Sequence, residues 1–90
     1  MSGRRLKVRV VTPKGLVFDG EAREVIAPSV LGYFGVLPRH APLRCKLAEG
    51  SLRIKLPDGK ERRFSIGPGF FEVEGDRVAV AVERAEEAGG

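Results

Sequence analysis

Apolar and polar positions alternate with a period of two along most of this chain. Leu6, Val8 and Val10 alternate with Lys7 and Arg9, and Leu52, Ile54 and Leu56 alternate with Arg53 and Lys55. Phe64 and Ile66 flank Ser65, and Phe71 and Val73 alternate with Glu72 and Glu74. Such alternation predicts strands that lay one face on a core and the other in water. The run Val78-Ala79-Val80-Ala81-Val82 is apolar at every position. It predicts a central strand, or one covered on both faces.

Turn chemistry falls between these runs. Pro13-Lys14-Gly15, Pro57-Asp58-Gly59 and Gly75-Asp76 each separate two strand-like segments. Proline presets φ and glycine supplies the positive φ that tight hairpins need. Short strands punctuated every 8–12 residues or so predict an all-β antiparallel sandwich or flattened barrel. One segment breaks the pattern. Glu83-Arg84-Ala85-Glu86-Glu87-Ala88 consists of helix formers, which predicts a helix stub or a short tail, too brief to stand as an isolated helix. The expected organisation is a flexible basic N-terminus at 1–5, a β-sandwich at 6–83 and a tail or helix stub at 84–90.

Ninety residues hold one domain with a small core and leave no deep cleft between domains. The single cysteine, Cys45, excludes an internal disulfide and a cysteine-built metal cage. The basic start, Met1-Ser2-Gly3-Arg4-Arg5, leads into an alternating pattern rather than an unbroken apolar segment, which points to a cytoplasmic protein. The formal net charge is +4. Basic residues gather at Arg4, Arg5, Lys7 and Arg9 and again at Lys60, Arg62 and Arg63. This balance permits an anionic partner without requiring one.

No catalytic constellation is visible. His40 is the only histidine, and an acid–base pair or metal site would have to recruit carboxylates or Cys45 around it. A turn histidine bonded to nearby backbone is the simpler reading. Cys45 is in phase with Leu43 and Leu47, which places it on the packed face as a small apolar filler. Gly67-Pro68-Gly69 precedes a strand rather than a helix, so it reads as a sharp bend and not as a phosphate cradle. The segment at 32–43 holds two glycines, two prolines, the only tyrosine and the only histidine, together with Phe34, Val36 and Leu37. An apolar, stiffened connector of this kind suggests a surface held by a partner.

These residues resemble a known family. Phe34-Gly35-Val36-Leu37-Pro38-Arg39-His40-Ala41-Pro42-Leu43 is similar to the signature loop of the epsilon subunit of F-type ATP synthases. Val10-Val11-Thr12-Pro13 and Phe18-Asp19-Gly20 resemble that family's opening hairpin, and Gly67-Pro68-Gly69-Phe70-Phe71-Glu72-Val73 resembles its later Gly-Gly segment. The similarity runs in order from Leu6 to Ala88. Arg39 stands where the family usually has glycine, Pro68 also replaces a glycine, and Leu31 and Tyr33 stand where it commonly has acids.

The resemblance implies ten strands in two five-stranded sheets. It also implies a non-catalytic rotor part of the central stalk, which couples ion translocation through the membrane c-ring to ATP synthesis. The implied partners are the gamma subunit and the c-ring. Carried over by position, Thr12, His40, Pro42, Leu43 and Cys45 would contact gamma, and Leu31, Gly32, Tyr33 and Phe34 would face the ring. No cofactor, metal, small-molecule substrate or nucleic acid is expected. The implied location is peripheral, on the cytoplasmic face of the bacterial inner membrane. Many relatives continue into an inhibitory two-helix hairpin, in some with an ATP-binding motif, and neither property is expected here. A different class, a small basic β-barrel that binds nucleic acid, would suit the arginine and lysine clusters. Against it, most aromatics are in phase with core positions.

Overall fold

The computed structural model describes residues 3–88, and residues 1–2 and 89–90 of the expected terminal segments lie outside the described residues. Ten strands follow one another: β1 (Leu6–Thr12), β2 (Gly15–Ala22), β3 (Glu24–Ser29), β4 (Gly32–Val36), β5 (Leu43–Leu47), β6 (Gly50–Lys55), β7 (Glu61–Ile66), β8 (Gly69–Glu74), β9 (Arg77–Val82) and β10 (Ala85–Glu87). They hydrogen-bond in the order β10-β7-β6-β3-β5-β8-β9-β1-β2, with β4 on β3. Strand β3 is the corner. Its Glu24, Val25 and Ile26 pair with β6, while Ser29 reaches Leu47 of β5. Five strands lie on each side of that joint: β10-β7-β6-β3-β4 (sheet I) and β5-β8-β9-β1-β2 (sheet II). Nearly all neighbours are antiparallel, and β1 runs parallel to β9.

The alternation read from the sequence becomes alternating burial. Strand β9 buries Val78, Val80 and Val82, and β1 buries Leu6, Val8 and Val10. From sheet I come Val25, Ala27, Leu52, Ile54, Phe64 and Ile66. Two edge-to-face aromatic pairs join the sheets across this core, Phe34 with Phe71 at 4.9 Å between centroids and Phe18 with Phe64 at 6.4 Å. This geometry suits the ring quadrupoles and adds to the area buried.

The turns carry out their local chemistry. Gly75 and Asp76 both have positive φ, 59° and 64°, as the mirror-image turn of a two-residue hairpin requires. The Thr12 hydroxyl accepts the Lys14 amide at 3.1 Å and Gly15 follows at φ 132°, which closes the first hairpin. Gly69 is fixed by approach rather than by φ. A Cβ there would strike the Ala81 carbonyl oxygen and come within 2.6 Å of the Val82 Cα. The 67–69 segment is the bend between β7 and β8, held by Gly67 N–H on the Arg84 carbonyl at 3.0 Å and Glu83 N–H on the Pro68 carbonyl at 3.0 Å.

Three expectations are corrected. The helix formers at the C-terminus do not make a helix. Ala85, Glu86 and Glu87 pair with Ile66, Ser65 and Phe64 as β10, because the free edge of β7 offers backbone partners that three residues of helix cannot match. Arg62 clamps Glu87 in the same ladder and also stacks over Phe18 and Phe64, at 5.3 and 5.6 Å. The sandwich therefore runs past residue 83. Second, β9 is central but not covered on both faces: Ala79 and Ala81 are exposed. Third, the 32–43 segment is not all connector, since its first five residues are β4.

At the N-terminus, Arg4 pairs with Asp76 at 2.8 Å and Arg5 with Glu21 at 3.0 Å, so the described part of the basic segment is tied to the sandwich. The Asp76 carboxyl is held below the ordinary carboxylate range, first by the Arg39 backbone N–H and then by Arg4. Glu61 is lowered by its hydrogen bond from Arg53, and Glu87 by that from Arg62. A depressed folded-state pKa adds stability that is present above the unfolded value and lost as pH falls through the folded one. The urea midpoint should therefore be flat from neutrality to about pH 5 and fall below about pH 4. Asp76→Asn should flatten that fall, and an identical acid profile in the variant would contradict the assignment.

Candidate functional site

The outward side of sheet II is built in three rows. Register places Val11, Ala81, Phe70 and Lys46 side by side across β1, β9, β8 and β5. The next row is Arg9, Ala79, Glu72 and Arg44, and the third is Lys7, Arg77 and Glu74. Polarity therefore changes along the strands. One end of the face is apolar up to Lys46 at its border, the middle has a small alanine floor between charges, and the far end is charged throughout. Two ion pairs brace the middle row, Arg44 to Glu72 at 3.1 Å and Arg9 to Asp19 at 3.4 Å.

Phe70 is the centre of the apolar end. Its side chain is 63% exposed while its neighbour Phe71 is 1% exposed, because successive strand residues point to opposite faces. Around it lies a shallow concavity of about 600 Å³ lined by Val11, Thr12, Pro13, Val30, Phe70 and Ala81 among others. Val30 belongs to the β3–β4 hairpin tip and lines the same concavity as Phe70, so the apolar end reaches that tip, with Lys46 and Glu83 at its border. There Leu31 is 96% exposed. The Ser29 hydroxyl donates to the Gly32 carbonyl at 2.6 Å and accepts the Leu31 amide at 3.1 Å. Gly32 follows at φ 126°, a value that favours glycine. The tip is thus a stiff two-residue presentation of Val30 and Leu31. Monomeric proteins seldom expose contiguous apolar surface of this kind unless something covers it.

The residues singled out in the sequence fall into separate places. Leu31 and Gly32 are at the tip. Tyr33 lies back across the outside of sheet I, and its hydroxyl accepts the Ser51 amide at 3.0 Å. Phe34 turns inward onto Phe71. Thr12 borders the apolar concavity. His40 and Pro42 lie at the opposite end of the sandwich, one strand length away, roughly 15–20 Å. The His40 Nδ1–H donates to the Ala41 carbonyl at 2.6 Å and its backbone N–H to the Leu37 carbonyl at 3.2 Å, which is the turn histidine read from the sequence. Leu43 and Cys45 face the core and pack against it, and burial pushes the Cys45 thiol up. Arg39 stands where the family usually has glycine. Its φ of 70° is the left-handed conformation a glycine would favour, and its N–H is anchored on Asp76 Oδ1 at 2.6 Å.

Sequence reading missed Val11, Val30, Phe70, Ala79 and Ala81 as surface residues. The signal for the alanines was present in the all-apolar run of β9, which reads equally as a strand whose second face is covered by another protein.

A family model described as "ATP synthase, Delta/Epsilon chain, beta-sandwich domain" matches residues 5–88. Among curated relatives, the ATP synthase epsilon chain of Geotalea uraniireducens (strain Rf4) is 48% identical over 84 residues, covering 93% of this chain and 60% of that protein. The epsilon chain of Brevibacillus brevis is 40% identical, and the chain spans 62% of it. The chain therefore spans about three fifths of these relatives. The epsilon chain of Chlorobaculum tepidum, 43% identical over 82 residues, is covered to 93%. A chain in the cryo-EM structure of the Euglena gracilis mitochondrial ATP synthase, OSCP/F1/c-ring in rotational state 1, superposes with a TM-score of 0.88 at 20% identity, over 97% of this chain and 57% of that one. At that identity the superposition speaks for the fold alone. Matched over nearly its whole length, the chain belongs to the family of ATP synthase delta/epsilon chain β-sandwich domains.

Proposed function

We propose that this chain is a non-catalytic rotor element of an ATP synthase central stalk, bound to the gamma subunit and seated on the c-ring. The observation that carries the reading is the apolar concavity around the exposed Phe70, which Val30 of the tip also lines beside the exposed Leu31, on a chain of this family. Gamma docks on the outward side of sheet II, with Phe70 as the anchor and Thr12 at its border. Leu31 and Val30, at the tip, meet the ring. Solved neighbours include an assembly titled "central stalk/cring" from Tetrahymena thermophila, which agrees with such a place. Torque transmission needs a rigid body with two contact patches, and a sandwich with anchored turns supplies it. The location that follows is peripheral, on the cytoplasmic face of the membrane holding the ring.

Leu31 touches the core least of all the large apolar residues, so Leu31→Asp should leave the fold intact, within about 0.5 kcal/mol. Loss of an apolar anchor at a contact should weaken retention on isolated c-ring by about tenfold or more. Retention measured by co-sedimentation with ring-containing detergent complexes tests this. Unchanged retention would contradict the seating of the tip on the ring, and a large drop in melting temperature would make Leu31 a structural residue instead.

A further inference from the structure

The end of the sandwich opposite the Val30-Leu31 tip holds a second concavity, of about 380 Å³, lined by Gly3, Arg4, Arg5, Arg23, Pro38 and Pro57. Three arginines line it. Arg4 is oriented by Asp76, through Nε at 3.0 Å and Nη2 at 2.8 Å, and Arg5 by Glu21 through Nη1 at 3.0 Å. A guanidinium carries five N–H donors, so both keep donors for a ligand while being held in place. Among the described residues, Arg23 has no carboxylate at salt-bridge distance; its position is set by its backbone N–H on the Lys55 carbonyl at 2.7 Å. The walls, Pro38 and Pro57, have no backbone N–H. Arg39 lies alongside, bound to Asp76 through its own N–H. Four arginines against Asp76 and Glu21 leave this end with an excess of positive charge.

We infer that this concavity is a binding site for a soluble multi-phosphate anion, of the pyrophosphate class. Arg side chains recognise phosphate oxygens through paired N–H donors, and pre-oriented ones lose less freedom on binding. A phosphate could come from solution or from a lipid headgroup. The site lies at the end away from the tip, and if the tip sits on the ring, as proposed above, the site faces away from the bilayer. That choice of source rests on the reading above, while the phosphate chemistry stands without it.

The test is a titration of the isotopically labelled chain with sodium pyrophosphate, followed by amide NMR shifts at low and at physiological salt. Saturable shifts at Arg4, Arg5 and Arg23 are expected, with a Kd near a millimolar or below that weakens several-fold as salt rises. Arg23→Ala should weaken binding about fivefold or more with the rest of the spectrum preserved, and Arg23→Lys should recover only part because it loses the paired donors. Absence of saturation by 10 mM pyrophosphate (~10 times the expected Kd), or equal binding by Arg23→Ala, would overturn the site. A second arm uses vesicles with and without an anionic phospholipid. Vesicle binding that Arg23→Ala abolishes, in the absence of a pyrophosphate response, would overturn the soluble ligand in favour of a headgroup. Neither arm depends on gamma or ring binding, so its failure is separable from failure of the rotor assignment.

Discussion

Phe71→Ala is expected to remove a large part of the stability of the fold. Phe71 is 1% exposed, sits on β8 between β5 and β9, and meets Phe34 edge to face across the sandwich. Truncating a buried phenylalanine removes its transfer free energy and leaves a cavity, at a cost of about 3–5 kcal/mol. A domain of this length has roughly 5–13 kcal/mol in total. Each kcal/mol moves the melting temperature of a domain this size by about 4–8 °C, so the transition should fall by at least about 12 °C. Circular dichroism during heating measures it. A fall of only a few degrees would mean that the two sheets are not locked together at this point.

The adjacent residue should behave in the opposite way. Phe70→Glu replaces a 63% exposed side chain on the outward face, so the fold should hold to within about 1 kcal/mol. On the proposed reading, however, gamma binding should weaken by about 30-fold or more. A charge would enter the centre of an apolar contact, and hot-spot losses of about 2 kcal/mol or more follow from such a change. The pair separates core from interface in two consecutive residues. Equal gamma affinity for wild type and Phe70→Glu would remove the anchor from the middle of sheet II and leave the docking face elsewhere.

Much of the fold was legible because burial on one face writes a period of two into the sequence. Strands β1, β6, β7 and β8 could be read from alternation, β9 from its unbroken apolar run, and the hairpins from Gly15, Gly59 and Gly75. The family's ten-strand sandwich agreed with what the alternation implied. Strand β10 was not legible. Ala85, Glu86 and Glu87 favour helix by themselves, and only the open edge of β7 and the Arg62 clamp, both distant in sequence, make them a strand. Strand β4 was hidden inside an apparent connector, because Gly32 and Gly35 looked like turn formers and only Gly32 is one.

The site was legible in its parts and not in its assembly. Leu31 was placed on a partner-facing end by the family resemblance alone, and His40 was read as a turn residue. Which of the other residues share a surface depends on register, and register is set by long-range pairing. The parallel pairing of β1 with β9 brings Val11 beside Ala81, and the β8–β9 hairpin brings Phe70 to the other side of it. No local pattern contains that information. The same long-range geometry puts Thr12 beside the tip and His40 at the far end, and turns Cys45 and Phe34 toward the core.

The most direct test of the central claim is the association of this chain with the gamma subunit from the same source, measured by titration calorimetry with size-exclusion co-elution. The account predicts a one-to-one complex with a Kd of about a micromolar or tighter, a negative heat-capacity change from burial of the Phe70 face, and loss of the complex with Phe70→Glu. Absence of association at tens of micromolar (~10 times that Kd or more) by a chain that circular dichroism shows to be folded would contradict it.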